Sequence, residues 1–244
     1  MKLTVVGYWH GYPEAGEATS GYLLEEGEWK LLLDCGSGVI SSLQKYCDVT
    51  DLNGIVLSHY HHDHRADVGV YQYARIINKG LGKAMKNATI YGHRQDEQAF
   101  LKLGYKDLLT AQSYDDKKPI NIGPFTFTFL QTHHPVPCYA MRIETKNKIL
   151  VYTADSSYFP ELADFAIEAD LLIAECSGYE GDAIGQFGHM TSEDVGQLAK
   201  KSNPTQVLLS HLPHFGNHEQ LRTEVAKHFS GTVRLASSGL QLNV

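Results

Sequence analysis

The chain has 244 residues, 43% of them hydrophobic and 20% charged, the composition of an ordinary soluble globule. Its 28 acidic side chains against 21 basic ones leave a formal charge of −7, which repels polyanions and disfavours long nucleic acid, and no Arg/Lys run marks a nucleic-acid patch. No apolar stretch approaches the length of a bilayer span, and the run at Met1–Gly7 is too short for a signal peptide, so a cytoplasmic protein that does not enter a membrane is expected.

Strand-like runs come first, at Leu3–Gly7, Gly21–Glu25, Lys30–Asp34 and Gly54–Ser58, with a short helical pattern at Ser37–Tyr46 between them. A second helical pattern covers Asp67–Asn78, a strand Ala88–Gly92 and a helix Asp96–Leu103, after which Tyr105–Pro119 reads as a polar loop. Phe125, Phe127 and Phe129 then alternate with Thr126, Thr128 and Leu130, the period of a strand with one buried aromatic face. Tyr139–Thr145 and Ile149–Thr153 flank Lys146-Asn147-Lys148, a hairpin signal. Later strands are expected at Leu171–Glu175, Gln206–Ser210 and Val233–Ala236, and helices at Ser192–Lys201 and His218–Phe229. Sheet first, then strand alternating with helix, points to an α/β (α+β) chain with two sheets face to face and helices outside. With no linker or low-complexity segment to divide it, the sequence reads as one domain over residues 1–244. Cys35, Cys47, Cys138 and Cys176 are scattered without a CxxC pair, so all four are expected as buried, reduced thiols.

His59-Tyr60-His61-His62-Asp63-His64 begins where the Gly54–Ser58 strand stops. In extended backbone, residues two apart point the same way, so His59 and His61 can share one ion while His62 points elsewhere. Asp63 and His64 follow as the chain bends toward a helix and can turn to a second ion. More donors lie just past other strands: Thr132-His133-His134, Ala154-Asp155-Ser156 and Ser210-His211. Strand ends at one edge of a rigid sheet are where sites are built, so these segments are expected on one rim. Alternation alone leaves His133 and His134 open as donors, because a turn begins there. Asp34, at the end of its own strand, reads either as an acceptor that orients the histidine loop or as a turn former before Gly36.

The chain resembles the metallo-β-lactamase superfamily of metal-dependent hydrolases, and within it the ribonuclease Z-like branch. The resemblance runs through Thr19–Leu24, Leu33–Gly36, Ser58–His64, His134–Ile143, Thr153–Asp155, Gly188–Thr191 and Leu209–His211, of which the hexapeptide is the specific part. It implies a four-layer αββα sandwich with two mixed sheets. It also implies His59, His61 and His134 on one ion, Asp63, His64 and His211 on the other, and Asp155 between them. His134 is favoured because the branch places its ligand histidine eight residues before an Arg in a Tyr-x-x-Arg-Ile-like strand, here Tyr139-Ala140-Met141-Arg142-Ile143. The branch also has a Gly-His-Ser/Thr segment that supplies a general acid, matched by His189, and a Glu that orients it, matched by Glu175. By resemblance the protein is a homodimer, with Tyr71 and Tyr73 at a dimer surface or in the core.

Histidine and carboxylate donors without thiolate suit two divalent cations, zinc being the expected metal, with manganese or iron accommodated by the same set. Two such ions ~3.5–4 Å apart hold a water, lower its pKa towards ~7 and clamp the oxygens of an in-line displacement. No G-x-S-x-G elbow or P-loop competes with that reading. Asp63 is a candidate proton acceptor from the attacking water. Thr191 and Asp194 have the spacing of a capping box, which puts His189 just before a helix. A proton donor for an alkoxide favours a small phosphodiester, a cyclic nucleotide or an oligonucleotide end, as substrate. Lactone or thioester hydrolysis by the same site is the alternative. Ribonuclease Z-type tRNA processing fits less well, because the interval from Asp155 to His189 leaves no room for the long arm with which that family grips tRNA.

Overall fold

The computed structural model describes residues 1–244 and divides into two compact units. The first unit is built from residues 1–115 and 237–243, the second from residues 116–236 and Val244.

The first unit carries a mixed seven-stranded sheet in the order β14-β1-β2-β3-β4-β5-β6. Its strands are β1 (Lys2–Gly7), β2 (Gly21–Glu26), β3 (Trp29–Leu33), β4 (Gly54–Val56), β5 (Thr89–His93), β6 (Thr110–Tyr114) and β14 (Gln241–Asn243). β1 to β3 pair antiparallel, and β3 to β6 run parallel, so β3 and β4 end at the same edge. Four helices join them: α1 (Val39–Leu43), α2 (His62–Arg65), α3 (Val68–Gly80) and α4 (Glu97–Phe100). Leu23, Leu32, Ile55 and Ile90 from the strands and Leu57 just beyond β4 form one core with Val39 and Leu43 of α1, Tyr71 of α3 and Phe100 of α4. Each fully buried side chain of this size contributes ~1.5–3 kcal/mol. Tyr71 is therefore a core residue, whereas Tyr73, 67% exposed, lies on the surface.

The second unit has its own mixed sheet, in the order β13-β12-β11-β10-β9-β8-β7. The strands are β7 (Ile120–Ile122), β8 (Phe125–Gln131), β9 (Tyr139–Glu144), β10 (Ile149–Tyr152), β11 (Leu171–Glu175), β12 (Gln206–Ser210) and β13 (Thr232–Leu235). The phenylalanines of β8 bury one face as the alternation requires, with ring centroids 6.4 and 6.1 Å apart. β8 and β9, and then β9 and β10, are antiparallel, while β10, β11 and β12 are parallel. β8, β10, β11 and β12 therefore all finish at one edge. The helices are α5 (Pro160–Phe165), α6 (Ser192–Ser202) and α7 (His218–Ala226), and α6 and α7 bury Val195, Leu198, Leu221 and Val225. No helix is long and apolar enough to cross a membrane.

Most expected elements form within a residue or two of their sequence positions. The exceptions are informative. Tyr105–Pro119 is not all loop, because Thr110–Tyr114 pairs with β5 as an edge strand. An edge strand with four of its five residues at least partly exposed needs no apolar alternation, so polar Thr-Ala-Gln-Ser-Tyr gave no period to detect. β4 stops at Val56, two residues early, since Ser58 leaves the ladder to bond a side chain. The four cysteines are all free, but Cys47 is only half-buried, unlike the other three.

At the start of α6, the Thr191 side chain accepts from the Asp194 amide and the Asp194 carboxylate accepts from the Thr191 amide, a reciprocal cap that satisfies two otherwise unpaired donors. Replacing Thr191 by Ala is expected to lower stability by ~1 kcal/mol, a drop in melting temperature of roughly 2–4 °C for a chain of this size. Thermal and urea unfolding of the variant beside the wild type measure this; an unchanged midpoint would show that the cap contributes nothing.

Candidate metal centre

In the first unit the chain leaves β3 at Asp34, which adopts a left-handed φ of 56° and is completely buried. A buried carboxylate is costly unless it is fully hydrogen-bonded. Asp34 takes three donors: the Ser58 amide at 2.7 Å, the Ser58 hydroxyl at 2.8 Å and His64 Nδ1 at 2.7 Å. A carboxylate only accepts, so His64 carries a proton on Nδ1 and presents its lone pair at Nε2. The Ser58 hydroxyl, having given its proton to Asp34, accepts from His59 Nδ1 at 3.0 Å, and His59 is fixed in the same tautomer. One carboxylate therefore orients two histidines, one directly and one through a serine.

His61 lies edge-on to His59, with ring centroids 4.8 Å apart, and the His64 ring lies 4.2 Å from that of His59. Asp63 Oδ2 accepts from the Gly11 amide at 3.0 Å and stands 3.6 Å from His64 Nε2. Gly36 makes this packing feasible: a Cβ there would sit 2.0 Å from the Asp63 carbonyl oxygen and 2.1 Å from Thr19 Oγ1. The Asp34–Gly36 turn thus grips the histidine loop at backbone distance, and the Cys35 amide bonds the His64 carbonyl at 2.7 Å. His62 points away, to a separate cavity.

The second unit repeats the device with a glutamate. Glu175, the last residue of β11 and 1% exposed, accepts from the Ser156 amide at 3.0 Å, the Ser177 hydroxyl at 2.7 Å and His189 Nδ1 at 2.9 Å. Ser177 Oγ in turn lies 3.0 Å from His211 Nδ1 and accepts its proton. His134 Nδ1 donates to the Gly188 carbonyl at 3.0 Å. With their Nδ1 atoms so engaged, His134 and His211 turn Nε2 toward Asp155, at 3.9 Å from one carboxylate oxygen and 3.6 Å from the other. His189 sits between them, its ring 5.2 Å from that of His134 and 5.5 Å from that of His211. His133 turns away and stacks on Phe159 at 4.1 Å.

Two of these strand ends are strained. Ala154 and His211 have φ of 50° and 53°, a left-handed conformation costing about 1–2 kcal/mol for a residue with a Cβ. Such a turn swings Asp155 and His211 out of line with their strands. Gly188, also left-handed, leaves no space for a Cβ, which would meet Pro135 Cδ at 2.7 Å and His134 Nδ1 at 2.9 Å.

The expected site residues thus gather as His59, His61, Asp63 and His64 in the first unit and His134, Asp155, Glu175, His189 and His211 in the second. Their chemistry fits a divalent cation: the imidazoles offer Nε2, the carboxylates offer oxygen, and burial holds the His134 ring toward its neutral, ligating form despite the opposing pull of Asp155. Thiolate is not part of the set, since burial pushes the Cys35 and Cys176 thiols well above their ordinary range. Sequence reasoning missed Ser58, Ser177 and the Gly11 amide. Ser177 had a signal, because it stands two residues beyond Glu175 in extended chain and so faces the same way. Gly11, 52 residues from Asp63, had none.

Residues 30–212 match the family model described as the beta-lactamase superfamily domain. The chain belongs to the β-lactamase superfamily. It is 48% identical over 239 residues to the probable metallo-hydrolase YhfI of Bacillus subtilis, covering 98% of each chain. The crystal structure of that organism's metallo-beta-lactamase fold protein YhfI superposes with a TM-score of 0.97 at 47% identity over 99% of this chain and 98% of that one. The short form of human tRNase Z shares the fold, with a TM-score of 0.78 at 19% identity over 100% and 99% of the two chains. A ribonuclease Z of Thermoplasma volcanium is 22% identical over 86% of each chain. The two mixed sheets with their helices are therefore those of the metallo-β-lactamase fold, as the hexapeptide suggested, and the protein is a metallo-hydrolase.

Asp34→Asn keeps a side chain that tolerates the left-handed backbone but removes a charged acceptor shared by Ser58 and His64. It is expected to weaken zinc binding by about 10- to 100-fold with the fold intact. Chelator competition followed by circular dichroism checks this; wild-type affinity would show that Asp34 does not organise the histidines.

Proposed function

We propose that the two clusters act together on a pair of divalent ions, zinc in the first instance, and that the enzyme hydrolyses a small phosphodiester such as a cyclic nucleotide or a short oligonucleotide end. On this reading His59, His61 and His134 hold one ion, Asp63, His64 and His211 the other, and Asp155 serves both. When bound, such a pair supplies a water of lowered pKa and positive charge facing the phosphoryl oxygens.

The observation that carries the substrate class is the placement of His189. Its Nδ1–H is committed to Glu175, so Nε2 is the atom that would hold and release a proton. Its ring lies within 5.5 Å of those of His134 and His211, both proposed ligands. A leaving alkoxide at that point would take its proton from His189 Nε2, a contribution of about 10²–10⁴ in rate. Asp63, oriented by the Gly11 amide, would receive a proton from the attacking water. Opening a lactone or thioester has less need of such a donor.

A small substrate is favoured over precursor tRNA by two features. Between Asp155 and His189 there are only α5, β11 and a single 3₁₀ turn at Gly185–Phe187, with no projecting arm. The formal charge of −7 also opposes a long polyanion. The ribonuclease Z relatives support phosphodiester chemistry in general.

Turnover by the zinc-loaded enzyme and its His189→Ala variant tests the proposal on two esters. With a 3′,5′-cyclic nucleotide, whose leaving alkoxide needs a proton, kcat should fall by about 10²–10⁴ while bound metal stays constant. With bis(p-nitrophenyl) phosphate, whose leaving group needs no proton, the loss should be much smaller. An enzyme that leaves both esters untouched yet opens lactones or thioesters would overturn the proposal.

A further inference from the structure

His62, alone among the residues of the hexapeptide's second half, faces away from the metal donors. It lines a cavity of about 260 Å³ in the first unit, together with Arg65, Gly69, Gln72, Lys102 and Leu103. The lining brings three basic side chains together and contains no carboxylate. That is unexpected in a chain with an excess of acidic groups. Many cations elsewhere are paired: Lys2, Lys30, Arg142, Lys148 and Lys227 each meet a carboxylate. Arg65 and Lys102 have no such partner.

The cavity is also built rather than incidental. Arg65 is held by Nε, which donates to the Tyr60 carbonyl at 2.7 Å, and its guanidinium lies over the Tyr60 ring at 5.7 Å from the centroid. Its terminal Nη atoms are left to bind something else. Gln72 donates to the carbonyls of Lys102 at 2.9 Å and Leu103 at 3.1 Å, which ties α3 to the segment carrying Lys102. Buried Val68 and Leu103 supply an apolar floor. Val68 and Gly69 open α3, whose first turn has no side-chain cap, because the Asp67 carboxylate is spent on the Ile40 amide. Unpaired helix N–H groups and their dipole favour an anion and add to what the three side chains offer.

We propose that this cavity is a second anion site, which takes a phosphate group of the substrate other than the one being cleaved. Arg65 presents paired planar donors to the phosphate oxygens, Lys102 adds a second charge, and His62 offers a ring nitrogen as a further hydrogen-bond partner. Because His62 falls between Asp63 and His61 in the chain, a phosphate held here lies next to the loop that carries the proposed metal donors. The enzyme then distinguishes a substrate bearing a terminal phosphate from the same diester without one. This role in selection rests on the phosphodiester reading, while the capacity to bind phosphate does not.

Titration of the full-length, zinc-loaded protein with inorganic phosphate at fixed ionic strength, followed by backbone amide NMR, tests the site directly. The Gly69 and Gln72 amides should shift saturably, Lys102→Gln should weaken that response at least 5-fold, and Arg65→Gln/Lys102→Gln should abolish it. Lys102 is exposed and its ammonium is in no ion pair, so its variant keeps the test valid if Arg65 proves needed for stability. Shifts confined to the His59–His64 loop, or a Gly69 response indifferent to Lys102, would overturn the proposal. If phosphate binds as expected but no diester is hydrolysed, the anion site stands and the phosphodiester reading falls.

Discussion

Each of the two clusters depends on one buried carboxylate being fully hydrogen-bonded. Asp34 and Glu175 each accept from a backbone amide, a serine hydroxyl and a histidine Nδ1, so neither is left as an unpaired charge in the interior. In each case the serine passes the constraint to a second histidine. Four imidazoles, His59, His64, His189 and His211, are thereby locked by two acids. The tautomer of each follows from the fact that the acid can only accept. A histidine whose ring is fixed in this way loses little freedom when it binds a cation or a proton through Nε2.

Strand direction explains why the groups are where they are. β3 and β4 finish at one edge of the first sheet, and β8, β10, β11 and β12 finish at one edge of the second. Ladder hydrogen bonds fix those ends, and the short loops beyond them inherit the precision. Left-handed residues at Asp34, Ala154 and His211 make the final turns, and the strain is carried by the buried strands behind them. Gly36 and Gly188 are required for close approach, since a methyl group at either would overlap the histidine-bearing segment.

Much of this was legible in the sequence, for identifiable reasons. Buried strands announced themselves by apolar runs, β8 by its phenylalanine alternation, and α6 by its capping box. The candidate donors were legible because histidines and aspartates sat just beyond such strands. The polar edge strand β6 was not, because an exposed edge imposes no pattern. Nor could alternation choose between His133 and His134 at a turn; in the folded chain Phe159 stacks on the first and the Gly188 carbonyl holds the second. Hydrogen bonds from distant backbone, such as Gly11 to Asp63, leave no trace in local sequence. The same holds for the cavity beside His62, whose basic residues come from two separate segments.

The most direct test of the account is a crystal structure of the zinc-loaded protein with data collected at the zinc absorption edge. Two anomalous peaks are predicted, one bounded by His59, His61 and His134 and the other by Asp63, His64 and His211, with Asp155 between them and the histidines ligating through Nε2. A single peak, or peaks coordinated by Nδ1 or by residues outside this set, would contradict it.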